Sequence, residues 1–168
     1  IREFGPLSQP SLRGEEPLYT FFPVGAREWE DLILFNYVDL NANEDAIQDW
    51  NCGGYTYDGH RGIDAHIMTF EHQFVGVPIV AVLDGTVWST HDGEPDQNTV
   101  LDPDTYGNSN YVAIDHGQGR FVYYLHMKQN SVIVEQGQVV RAGEQIGLVA
   151  SSGYSSWPHL PLESWNYD

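Results

Sequence analysis

Apolar residues along this chain fall in short runs, separated by glycine, asparagine or proline at intervals of roughly 6–12 residues, the spacing of strands and tight turns. Tyr111–His116 alternates apolar and polar positions, Gly117-Gln118-Gly119 reverses the chain, and Phe121–Met127 runs back, which predicts a hairpin. Val77–Thr90 reads as two more strands joined at Asp84-Gly85 in a second hairpin. Val132–Val134, Val139-Val140 and Gln145–Val149 are short strands divided by Gln136-Gly137 and Ala142-Gly143, and Leu162–Trp165 is strand-like. Trp29–Val38 suits a strand or a short buried helix, its branched and aromatic residues favouring the strand. No stretch carries the period of a long amphipathic helix. The pattern predicts an all-β fold of mainly antiparallel sheets, sandwich-like, with long loops such as 91–110 and little helix.

Proline and glycine crowd residues 1–23, which read as an extended arm, and 53–62 reads as a loop. The expected organisation is an irregular N-terminal extension or pro-like lead-in over 1–57 and one domain over 58–168. Asp39-Leu40-Asn41-Ala42-Asn43 matches a calcium loop in its opening letters only: Glu44 stands where the turn needs glycine and Trp50 where a bidentate glutamate would bind. An Asx-rich turn capping a short helix over 45–50 is the simpler expectation.

Composition narrows the function classes. The 168 residues hold 24 acids and 7 bases, a formal net charge of −17, which repels nucleic acid and suits a soluble surface. Cys52 is the lone cysteine, so no internal disulfide is possible and a packed or idle thiol is the simplest reading, with a cysteine nucleophile a distant alternative. No apolar run reaches the roughly 20 residues of a membrane-spanning helix. The start at Ile1 without a methionine, with no signal pattern, and the abrupt end suggest a processed or excised chain, expected to be monomeric.

Histidine supplies the candidate chemistry. His60 and Asp64 offer an imidazole and a carboxylate, good zinc ligands, but Gly59 and Gly62 disfavour a helix, so a bent loop must bring them together. His126 sits in the aromatic run Tyr123-Tyr124-Leu125-His126-Met127, a place where a histidine is usually a hydrogen-bonded, half-buried residue. His159 follows Pro158, which rules out a helix across it. His66, His72, His91 and His116 are expected to be exposed or structural.

Taken together, these segments resemble the lysostaphin-type zinc endopeptidases, which cleave peptidoglycan. The resemblance rests on His60-Arg61-Gly62-Ile63-Asp64, Pro78-Ile79-Val80-Ala81 with Asp84-Gly85-Thr86-Val87, and Tyr124-Leu125-His126-Met127. It continues through Gly137-Gln138-Val139 to Gln145-Ile146-Gly147 and Pro158-His159-Leu160-Pro161-Leu162-Glu163. It covers about residues 58–165. It implies that His60 and Asp64 are zinc ligands, that His126 and His159 handle the proton of the attacking water and polarise the transition state, and that one Zn2+ is the cofactor. It also implies a secreted or envelope location and a peptide or peptidoglycan substrate. Tyr57 is a candidate oxyanion donor beside Tyr55, and Glu163 a candidate for orienting local hydrogen bonds.

One position departs from the family pattern. The third zinc ligand would stand at 161, where this chain has proline, which offers no side-chain donor. Three readings compete: a degenerate module of the same fold that binds or regulates without cutting; a site completed by neighbours, with His159 turning to the metal and Glu163 or water filling the shell; or a changed letter in an intact enzyme.

Overall fold

The computed structural model describes residues 19–26 and 31–167. Most of the N-terminal arm, and Trp29 and Glu30 of the apolar run, lie outside the described residues. Nine strands form among the described residues: β1 Leu32–Leu34, β2 Gly62–Ile67, β3 Pro78–Val80, β4 Gly85–His91, β5 Tyr111–Asp115, β6 Arg120–Tyr124, β7 Val139–Val140, β8 Gln145–Leu148 and β9 His159–Asn166. Seven of them make one sheet in the order β1-β2-β9-β6-β5-β4-β7, and β3 and β8 pair as a second, two-stranded sheet. Every strand pair is antiparallel, as the alternating pattern predicts.

The core lies on one face of the large sheet, where Leu32, Ile67, Ile114, Tyr124 and Leu160 meet Ile79 and Ile146 of the small sheet, all fully buried. Tyr124 is buried without leaving its oxygen unpaired, because its hydroxyl accepts the Val82 amide at 2.9 Å.

The β5–β6 hairpin forms where expected, turning at Gly117–Gly119. The second predicted hairpin does not form. β3 pairs with β8 and β4 pairs with β5 and β7, so Asp84-Gly85 is a corner between two sheets. Gly85 is needed there for closeness instead of a left-handed turn: its φ is not positive, and a Cβ on it would sit 2.6 Å from the Asp115 carbonyl oxygen. Val132–Val134 is not a strand, and no helix forms over 45–50. Asp39 instead closes that loop by accepting the amides of Asn41, Gln48 and Gly59. The α-helix among the described residues, α1 at Phe70–Val75, begins at Thr69, whose hydroxyl accepts the His72 amide.

Pro161 stands inside β9, a central strand with β2 on one side and β6 on the other. Proline is normally kept out of such places because it cannot donate to the ladder. Here the proline falls at the end of the β6–β9 ladder, where one bond is forgone. Its carbonyl faces the β6 side, accepting the Leu125 amide at 3.3 Å, beyond the last β6–β9 pair, Tyr124↔Leu162. The missing N–H therefore falls where β6 has ended.

Candidate metal centre

β2 and β9 run antiparallel with Asp64 opposite Pro161, Ala65 opposite Leu160 and His66 opposite His159. Side chains alternate between faces along a strand, and directly opposed residues share a face. Ala65 and Leu160 go to the core. Asp64, Pro161, His66 and His159 therefore share the other face, and that face is the site.

His60 precedes β2, directly after a turn at 58–59, and is buried, as is Asp64. Its Nε2 lies 3.1 Å from Asp64 Oδ1, so the two residues meet as the sequence suggested. Asp64 is further held by the segment after β1. Asn36 donates its side-chain amide to Asp64 Oδ2 at 2.8 Å, and the backbones of Phe35 and Asn36 bond to that of Asp64. His126 follows β6 with φ 54, a left-handed conformation uncommon for any residue but glycine. Ser109 holds it there, its hydroxyl oxygen accepting the His126 amide at 2.8 Å.

Three of the site rings share one device. Nδ1 of His60 is 2.8 Å from the Tyr37 carbonyl oxygen, Nδ1 of His126 is 2.6 Å from that of Ser152, and Nδ1 of His159 is 2.7 Å from that of Trp157. A carbonyl accepts only, so each Nδ1 carries the proton; the neutral rings of His126 and His159 keep a lone pair on Nε2, whereas His60 turns its Nε2 to the Asp64 carboxylate and bonds it when protonated there. His126 and His159 lie against each other at 4.7 Å between ring centres, and His159 stacks on His66 at 4.6 Å.

The electrostatics follow from burial and crowding. Burial, then the His159 charge, pushes the His126 pKa down to about 3. The same two causes push His66 down to about 4. Burial is also the largest influence on His159 and lowers it. For His60 burial pulls downward most strongly, but the hydrogen bond and charge of Asp64 outweigh it and the net shift is upward. Burial raises Asp64 most, yet its bonds to His60 and Asn36 and the nearby imidazoles leave it net lowered. The rim residue Tyr57 stacks on His60 at 4.3 Å, and burial, then Asp64 and Glu163, raise its phenol, which stays a protonated donor.

The structure thus gathers His60, Asp64, His126, His159 and Tyr57. Glu163 accepts Trp165 Nε1 at 3.1 Å. Cys52 is exposed, and among the described residues no histidine is hydrogen-bonded to it. The residue that sequence reasoning set aside is His66. Asp64, His66 and His159 each offer a donor atom, and these atoms lie within 4.8 Å of one another. His66 Nε2 is buried and has no hydrogen-bond partner among the described residues. An orphaned imidazole nitrogen beside a carboxylate and a second imidazole is what a divalent ion of zinc type takes up, so the residues present fit such an ion despite Pro161. The signal that could have found His66 is strand alternation. Reading Asp64 as part of a bent loop hid it; in a strand, Asp64 and His66 necessarily share a face.

A model of peptidase family M23 matches residues 58–168. An uncharacterized metalloprotease of Haemophilus influenzae is 30% identical over 104 residues, 62% of this chain and 18% of that protein. The peptidoglycan DD-endopeptidase ShyA of Vibrio cholerae is 41% identical over 54 residues, 32% of this chain and 12% of ShyA. The chain thus spans less than a quarter of the length of these curated relatives. Among solved structures, a point mutant of the catalytic domain of the prophage-encoded M23 protein EnpA of Enterococcus faecalis superposes with a TM-score of 0.57. The match is 21% identical and covers 84% of this chain and 86% of that one.

Proposed function

Because this chain belongs to peptidase family M23, we propose that it is a metal-dependent endopeptidase that hydrolyses peptide bonds in peptidoglycan cross-links, acting in the cell envelope or outside the cell. The observation that carries this reading is the shared face of β2 and β9, where carboxylate and imidazole donors converge beside the unprotonated Nε2 of His126. The peptidoglycan substrate is suggested by the DD-endopeptidase relatives.

By the family resemblance His60 and Asp64 hold the ion, and His126 and His159 serve the proton transfers. A zinc ion bound there would act as a Lewis acid and bring a water whose pKa is about 7. The protein's own groups do the rest. His126, neutral and pinned by Ser152, takes the proton of the attacking water at Nε2 and returns it to the leaving amine. Tyr57, at the rim, donates its hydroxyl to the oxygen of the scissile carbonyl as charge develops there. A groove lined by Asp39, Gly59, Arg61 and Trp165 adjoins His60 and offers a path for an extended peptide.

The test is direct. Purified protein is incubated with cross-linked peptidoglycan, with and without added zinc, and the soluble peptides are separated by chromatography. Cleavage that a chelator abolishes and zinc restores is the expected result. Pro161 favours a second reading, a module that holds peptidoglycan without cutting it. Sedimentation with insoluble peptidoglycan, but no new amine termini at any zinc concentration, would establish that reading in place of the first.

A further inference from the structure

Pro161 removes a donor from the Asp64–Pro161 pair, and the next pair along the same face, His66–His159, carries one donor more than the resemblance requires. We propose that the metal centre of this chain is displaced to that next pair along β2 and β9, so that Asp64, His66 and His159 bind a zinc-type divalent ion. His60 then acts as a positioning residue for Asp64. This rests on the metallopeptidase reading and goes further by naming a ligand set.

Four observations converge. The donor atoms of the three residues already lie within 4.8 Å of one another. His66 Nε2 is buried without a hydrogen-bond partner, so nothing in the described chain engages that atom. His159 commits Nδ1 to the Trp157 carbonyl at 2.7 Å, which leaves Nε2 as its free donor. The His66 ring is held between His159, at 4.6 Å, and Phe35, at 5.4 Å, and so is oriented before any ion arrives.

His60 has a different setting. Its Nδ1 is tied to the Tyr37 carbonyl and its Nε2 faces Asp64 Oδ1 at 3.1 Å, while Asn36 binds Oδ2 at 2.8 Å. Each carboxylate oxygen has a second lone pair, so Asp64 can be oriented by both neighbours and still bind an ion. With His159 on the metal, His126 remains to move the proton, as proposed above.

The experiment measures metal binding by the full chain, using zinc for affinity and stoichiometry and cobalt(II) for its visible spectrum, which reports the ligand set. The wild type is expected to bind one equivalent. His66→Phe should weaken binding by roughly 100-fold or more, whereas His60→Gln, which alters an orienting partner, should weaken it by only about 10-fold and keep the cobalt spectrum. The double variant His66→Phe/Pro161→His, which moves the donor back one pair, should recover tight binding with a changed spectrum. That recovery also shows that loss in the single variant is not misfolding. Wild-type affinity in His66→Phe, or complete loss in His60→Gln, would overturn the displaced site while leaving a metallopeptidase intact. No metal bound by the wild type would overturn both. Tight binding through His66 without peptidoglycan cleavage would uphold the site and overturn the peptidase reading alone.

Discussion

At the scale of single residues, the site is built by what each histidine does with the nitrogen that faces away from it. Backbone carbonyls of Tyr37, Ser152 and Trp157 accept hydrogen bonds from Nδ1 of His60, His126 and His159, so ring orientation is set; Nε2 stays free on His126 and His159 and faces Asp64 on His60. Asp64 depends in the same way on Asn36. Asn36→Ala removes a hydrogen bond to a buried carboxylate and should cost about 1.5–3 kcal/mol, read from urea unfolding at pH 7. Away from the site, Asp49 accepts the amides of Asn51, Gly53 and Tyr55 in the loop leading to Tyr57. The Gly53 bond, then that of Tyr55, holds its carboxyl below the usual aspartate value. A depressed folded-state pKa stabilises above the unfolded value near 3.8 and is lost as pH falls through the folded one. Asp49→Ala should therefore unfold at lower urea than wild type at pH 7, and the gap should narrow steadily below about pH 4. Little of this residue-scale detail was legible beforehand. The spacing of His60 and Asp64 could be read, but Asn36 comes from a segment with no motif, and the carbonyl partners leave no trace in side-chain identity.

Elements were legible in proportion to how local they are. The β5–β6 hairpin is closed by its own glycines and was readable at once. The Asp84-Gly85 corner looked the same on paper, because the close contact that requires Gly85 comes from Asp115, far along the chain. Helix α1 was missed since six residues are too few to show a 3.6-residue period, and its Thr69 cap is a weak mark alone. The β2–β9 pair depends on Gly62, where an added Cβ would lie 2.9 Å from the Leu162 carbonyl oxygen. Gly62→Ala should push the two strands apart at the end nearest His60, costing about 1–3 kcal/mol in denaturant unfolding. It should also weaken zinc binding, because Asp64 and the donors on β9 move relative to each other.

For the whole molecule, the order β1-β2-β9-β6-β5-β4-β7 places strands distant in sequence side by side, which is why the fold class could be read from alternation and the strand order could not. The net charge of −17 acts at this scale as well. Self-repulsion opposes the compact state and is screened by salt, with a range of about 10 Å at 0.1 M. Raising sodium chloride from roughly 0.05 to 0.5 M should therefore raise the thermal midpoint, as followed by circular dichroism; an unchanged midpoint would mean that the acids are spread too widely to repel. The antiparallel ladder has a consequence of its own. Each facing pair on one side of β2 and β9 is an equivalent socket, two residues from the next and already aimed at the same space. A chain that loses a donor in one socket can regain it in the neighbouring one by a single substitution, with no change to backbone or core. In such a fold, a missing motif letter is a reason to inspect the adjacent socket before declaring the site dead.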